Sequence, residues 1–272
     1  MLAVWQAADD IDVFESGWTF DHFYPIFSEP AGPCLEGWTT LTALAQATTR
    51  LRLGTLVTGI HYRHPAVLAN MAAALDIISG GRLELGIGAG WNEEESGAYG
   101  IELGSIKERF DRFEEACQVL IGLLSEDTTD CFDFQGTYYQ LKAARNEPKG
   151  PQRPHPPICI GGSGEKRTLR ITAKYADHWN FVGGPPEEFA RKRDVLAAHC
   201  ADVGRDPKEI MLSAHVRFDP ERGHRAVVED TIALGVEGLD LAIVYLPTPH
   251  DPAVLEPLAE AIRESGLWRS ES

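Results

Sequence analysis

Residues 51–95 alternate strand, helix and strand, and that order constrains the fold more tightly than any other stretch. The run 51–57 (LRLGTLV) is short and apolar, and 82–87 (RLELGI) is a second such run. Between them Pro65 stands where a first helical residue would, Val67, Leu68, Met71, Leu75 and Ile78 recur at helical spacing, and Gly80 is a natural stop. The unit is βαβ. Ligands of parallel α/β folds gather at the carboxyl ends of the strands, where loops and helix N-termini expose backbone N–H groups. The polar cluster Gly88-Ala89-Gly90-Trp91-Asn92-Glu93 follows the second strand at such an end.

Strand-like runs at 18–21, 51–57, 83–87, 157–160, 178–182, 210–216 and 239–246 continue the alternation, with helices expected to begin near Glu165, Pro186, Arg222 and Pro252. Ser105-x-x-Glu108 is a capping box, opening a helix whose apolar face is Ile106, Phe110, Phe113, Cys117, Leu120 and Leu124. Alternation over this length predicts an α/β fold with a parallel sheet, closed into a (β/α)8 barrel or open and doubly wound. The 272 residues are read as one domain. Residues 126–157 form a loop insertion with a small hairpin at 132–139 and five prolines in 148–157, an excursion expected over the barrel mouth.

Charge narrows the function. A net charge of −16 repels nucleic-acid phosphates and anionic membranes, so neither is expected as a partner. No apolar run approaches the ~20 residues that cross a bilayer, and the N-terminus lacks the pattern of a signal peptide, which predicts a cytoplasmic protein. The five cysteines are odd in number and form no C-x-x-C pair, so buried thiols are expected in place of disulfides or a zinc site.

Several constellations could carry chemistry. Gly161, Gly162, Ser163 and Gly164 run from a strand into a helix, the arrangement in which N–H groups cradle a phosphate, and Lys166 and Arg167 are expected in the first helical turn. Asp21-His22 at a strand end pairs an acid with an imidazole suited to proton transfer, or is simply structural. Gly88-Ala89-Gly90-Trp91-Asn92 resembles half a dinucleotide fingerprint without a proper helix after it, and packing plus a turn explains Trp91 and Asn92 equally well. His61-x-x-His64 lacks a further ligand at useful spacing for a metal. Asp177-His178 stands at the start of a strand, the wrong end for catalysis.

Together the blocks 20–23 (FDHF), 53–65 (LGTLVTGIHYRHP), 79–95 (SGGRLELGIGAGWNEEE), 108–113 (ERFDRF) and 160–180 (IGGSGEKRTLRITAKYADHWN) resemble the bacterial-luciferase-like oxidoreductases, especially the branch that uses the deazaflavin coenzyme F420. The resemblance implies a TIM-like barrel with the cofactor across the carboxyl ends of its strands, and a homodimer. It implies His22 beside the reactive ring as the proton-transfer residue, with Asp21 helping to place the ring. Leu56, Val57 and Thr58 match a strand end with a cis peptide behind the ring, Gly90, Trp91 and Asn92 would line the ring pocket, and Gly161 to Gly164 would hold the cofactor phosphate. Tyr138, Tyr139 and the proline-rich loop would cover a small organic substrate.

Two departures qualify the match. Trp91 stands where the sugar-phosphate branch carries an acid, so that branch's substrate is not expected. The sequence begins almost at the first helix, which leaves the first strand of the barrel without a sequence. The expected function is hydride transfer between F420 and a small organic molecule. The alternatives are an FMN-dependent monooxygenase and, of another class, a degenerate barrel that binds a ligand or partner without turnover.

Overall fold

The computed structural model describes residues 1–128 and 130–267. In chain order its elements are α1 (Leu2–Asp10), β1 (Ser16–Thr19), α2 (Gly37–Ala47), β2 (Arg52–Thr55), β3 (Thr58–Gly59), α3 (Pro65–Ser79), β4 (Leu83–Gly88), α4 (Glu93–Ala98), α5 (Ile106–Leu124), β5 (Phe132–Gln135), β6 (Gln140–Ala144), β7 (Ile158–Gly161), α6 (Thr168–Tyr175), β8 (His178–Phe181), α7 (Pro186–Val203), β9 (Met211–Arg217), α8 (His224–Val236), β10 (Leu241–Tyr245) and α9 (Leu255–Ser265). Each strand run read from the sequence is present, and the fold is α/β. The described residues form two compact units, one made of 18–46 and 52–161, the other of the remaining residues.

In the first unit β4 is the central strand. It pairs parallel with β2 (Leu53 opposite Leu83), with β3 (Thr58 opposite Ile87) and with β7 (Leu85 opposite Ile158). β1 joins beside β2, where Thr19 O accepts from Leu56 N at 2.8 Å. Being flanked on both sides, β4 is buried along its whole length, and the carboxylate of Glu84 is met by Arg52 Nε at 2.8 Å. Parallel pairing brings the ends of β1, β2, β4 and β7 to one edge.

The helices follow local rules. His64 caps α3, Pro65 opens it, and Gly80 closes it in the left-handed region at φ 69°. Its buried stripe is Leu68, Ala72, Leu75 and Ser79, whereas Val67 and Ile78, which share the apolar helical spacing, are 55% and 40% exposed. The apolar surface of α3 is thus wider than its own core uses. The Ser105–Glu108 capping box of α5 is fully formed, and Phe113, Cys117, Leu120 and Leu124 are buried, while Ile106 at the first turn is exposed.

The expected hairpin is present as β5 and β6, antiparallel, held to α5 by Glu115, whose carboxylate accepts from Thr137, Tyr138 and Tyr139 N. The proline-rich stretch departs from expectation. It packs at the amino ends of β2 and β4, away from the edge where loops gather: Gln152 Nε2 donates to Leu83 O and to Asp76 Oδ1, both at 2.7 Å, and Arg52 Nη2 donates to Gln152 Oε1. Asp76 is fully buried and raised above the usual carboxylate range by that burial, so its hydrogen bonds to Gln152 anchor the loop there.

In the second unit β8, β9 and β10 pair in parallel around a core of Trp179, Phe181, Phe189, Leu196, Ala214 and Val216. Trp179 and Phe189 stack with centroids 5.8 Å apart. α6 begins at Thr168, three residues later than expected, so Lys166 and Arg167 lie ahead of its first turn. The reason is long-range: Lys192 of α7 takes the Glu165 carboxylate at 2.9 Å and His199 Nε2 meets Glu165 O at 2.8 Å, holding 165–167 as a turn. Cys117, Cys159 and Cys200 are buried as expected, but Cys34 and Cys131 are exposed. Among the described residues no helix is long and apolar enough to cross a membrane.

Candidate functional site

The edge formed by the carboxyl ends of β1, β2, β4 and β7 gathers most of the residues singled out in the sequence. Asp21 and His22 follow β1, Leu56 and Val57 lie between β2 and β3, and Gly90, Trp91 and Asn92 follow β4. At their centre is a residue the sequence reading passed over, Glu95.

Asn92 caps α4, its side chain accepting from Glu95 N at 3.1 Å, so a short helix does follow the half fingerprint. That cap turns the Glu95 side chain inward, where it is fully buried. His22 Nδ1 lies 2.7 Å from Oε2, and Tyr62 OH donates to the same oxygen. Oε1 accepts from Phe23 N and from Tyr24 N, the latter at 3.2 Å. Burial pushes the Glu95 carboxyl up, but the bonds from Tyr62, His22 and Phe23 outweigh it and leave it below the usual range. Burial also raises Tyr62, and its bond to Glu95 adds to this, so the phenol keeps its proton.

His22 has a side-chain exposure of 9%. Its ring faces Trp91, itself 62% exposed, with centroids 5.6 Å apart, and Nε2 makes no hydrogen bond among the described residues. Asp21 is buried and held in a fork by Arg63, Nη1 to Oδ2 at 2.5 Å and Nη2 to Oδ1 at 3.1 Å. Arg63 Nη2 also reaches Glu36 Oε1 at 2.6 Å, and Glu36 in turn accepts from Trp38 N and Thr39 N at the start of α2. The Asp21 carboxylate therefore fixes Arg63.

The wall behind the edge is tight. The Leu56–Val57 peptide is cis. Val57 covers the end of β7 so closely that a Cβ on Gly161 would come within 3.1 Å of its Cγ1. Thr58 is fully buried, bonded to Trp38 Nε1 at 2.9 Å and to Thr55 Oγ1 at 3.0 Å. Gly90 sits at φ 82°, where a Cβ would strike the His61 ring at 2.3 Å. His61 and His64 part company: His61 Nε2 meets Ser96 Oγ at 3.1 Å, while His64 caps α3 and lies against Tyr139. Burial pushes His61 down to about 4, the Glu95 charge opposing and Arg109 adding.

The remaining candidates lie in the second unit. Gly162 N donates to Asn180 O at 3.1 Å and Gly162 O accepts from Trp179 Nε1 at 2.8 Å, which pins the loop to β8. Ser163 Oγ is buried with no hydrogen-bond partner among the described residues. A buried hydroxyl without a partner is costly, and an acceptor such as a phosphate oxygen would satisfy it. Gly164 is exposed, with Thr168 Oγ1 2.8 Å from where its Cβ would stand. His178 is bonded to Ser213 Oγ at 2.6 Å at the amino end of β8.

Residues 4–264 match the luciferase-like monooxygenase family. The chain belongs to that family. A phthiodiolone/phenolphthiodiolone dimycocerosates ketoreductase of Mycobacterium tuberculosis is 34% identical to this luciferase-like chain over 212 residues, 75% of this chain and 54% of that protein. The pyrimidine monooxygenase RutA of Methylobacterium radiotolerans is 37% identical over 177 residues, 63% of this chain and 44% of that one. The chain spans about half the length of these relatives. Among solved structures, an F420-dependent secondary alcohol dehydrogenase in complex with an F420-acetone adduct superposes with a TM-score of 0.85 at 19% identity, covering 97% of this chain and 94% of that one. That likeness places the fold in the luciferase-like TIM-barrel class.

Proposed function

We propose that this chain is an oxidoreductase that transfers a hydride between the deazaflavin F420 and a small organic substrate. The observation that carries the reading is His22, held by a buried carboxylate at the carboxyl edge of the strands, with no hydrogen bond to its second ring nitrogen among the described residues. When bound, the cofactor supplies the two-electron chemistry, and the protein supplies binding, orientation and the proton. The names of two similar proteins, a ketoreductase and an F420-dependent secondary alcohol dehydrogenase, denote interconversion of carbonyl and alcohol, which needs a proton donor or acceptor beside the hydride path.

In this reading His22 gives or takes the substrate proton. Leu56, Val57 and the buried Thr58 behind them support the ring, Gly90 and Trp91 line it, and Asn92 contributes by fixing α4 and so Glu95. Asp21 acts through Arg63. Gly161, Gly162, Ser163 and Gly164 hold the phosphate, for which the partnerless Ser163 hydroxyl is the support.

The second reading is an FMN-dependent monooxygenase, favoured by the 37% identity to a pyrimidine monooxygenase. Titration of the purified protein with each cofactor, followed by oxygen uptake of the flavin-loaded form, separates the two: firm FMN retention with oxygen consumption would favour the flavin. We further propose that the protein pairs with a second copy through α2 and α3. Those helices carry one charged residue, Asp76, and it is buried, so two chains of net charge −16 can approach there without facing like charges.

A further inference from the structure

We infer that Glu95 is the positioning residue of His22: it holds the imidazole in the Nδ1–H tautomer and leaves Nε2 as the atom that takes or gives the substrate proton. The inference rests on the proton-transfer role proposed for His22.

For a neutral imidazole the geometry admits one assignment of hydrogens. An ionised carboxylate only accepts, so the ring nitrogen 2.7 Å from Glu95 Oε2 must be the donor, and a lone pair on Nδ1 would face a negative oxygen. The other way to fill that contact, a protonated Glu95 donating to Nδ1, needs a raised carboxyl, the opposite of the direction that the Tyr62 hydroxyl and Phe23 N impose. Phe23 N and Tyr24 N fix Oε1 from the backbone adjoining His22, and the Asn92 cap fixes the helix from below, so the carboxylate cannot rotate away. Three neighbouring polar groups bond atoms other than the ring nitrogens of His22. Asp21 is held by Arg63, His61 Nε2 meets Ser96, and Cys34 Sγ bonds the main-chain oxygen of His22 at 3.3 Å, not its ring. Nε2 is the ring nitrogen left for a substrate.

The test is the 15N spectrum of histidine-labelled, cofactor-free protein at about pH 9, where an ordinary imidazole is neutral. His22 is assigned by the loss of its signals in His22→Gln. The expected result is a proton-bearing Nδ1 and a bare Nε2; a proton on Nε2 would overturn the inference. Glu95→Gln is isosteric, but Phe23 N and Tyr24 N still require its carbonyl oxygen, so its NH2 turns to Nδ1 and the ring is expected to flip to the Nε2–H form. Its kcat is then expected to fall about 10²–10⁴-fold with KM changed less than about twofold. An unchanged tautomer or an unchanged kcat in Glu95→Gln would sink the assignment. Should that variant fail to fold, Tyr62→Phe decides with the wild type: both are expected to keep Nδ1–H, and Nε2–H in either contradicts the inference. Full activity of His22→Gln would defeat the proton-transfer reading while leaving the tautomer in place, so the two failures are distinct.

Discussion

His22 is a client of its surroundings: its backbone neighbours, its ring and Tyr62 all converge on one carboxylate. Replacing it by glutamine keeps a polar group of similar bulk and leaves Glu95 three donors. His22→Gln is therefore expected to fold normally and to bind cofactor within about twofold of wild type, while kcat falls about 10²–10⁴-fold, the range of a lost general acid or base. Steady-state kinetics beside a binding titration read both numbers. The Asp21-His22 pair was legible because an acid and an imidazole at a strand end are unusual residues in a telling place. Glu95 was not, because three glutamates in a row at 93–95 look like a solvated first turn, and the inward one is selected by the Asn92 cap. The spacing Asn92-x-x-Glu95 was the available signal. Tyr62 and Arg63 were hidden for another reason, since their partners lie 33 and 42 residues away in sequence.

Among the elements, those written by local chemistry were readable and those set by distant contacts were not. Pro65, Gly80 and the Ser105–Glu108 box mark helix ends through bonds within a few residues. The delayed start of α6 and the seat of the proline-rich loop depend on Glu165 and Asp76 meeting partners on other elements. The attachment of α1 is of the second kind. Asp9 accepts from Thr49 N, Arg50 N and Leu51 N, and Arg50 reaches Ala8 O, Ile11 O and Phe14 O. Partial burial raises the Asp9 carboxyl, yet the backbone bonds from Leu51, Thr49 and Arg50 prevail and lower it from 3.8 to about 2. A carboxyl lowered on folding stabilises above its unfolded value, and the contribution is lost as pH falls towards the folded one. Between about pH 4 and pH 2 the wild type is expected to lose about 1 kcal/mol through this group, solvent screening included, and Asp9→Asn to lose correspondingly less. Urea melts of both proteins across that window check it.

For the whole molecule, the family and the α/β class were legible because several motif blocks stand in order along the chain and strand runs alternate with helical ones. The pairing surface was less legible, since spacing alone does not separate Val67 and Ile78 from the buried Leu68 and Leu75, and their exposure emerges only when α3 is seated. Ala74, also exposed on α3, tests it: Ala74→Glu should leave the monomer's fold intact but bring two carboxylates together in the pair. Light scattering is expected to find twice the monomer mass for wild type and the monomer mass for Ala74→Glu; a monomeric wild type would refute the pairing. A redox cofactor seated at the edge that His22 faces is detectable by calorimetric titration of the purified wild-type chain with F420. Saturable binding of one F420 per chain is the expected result, and absence of binding by F420 and by FMN would refute a cofactor site at this edge.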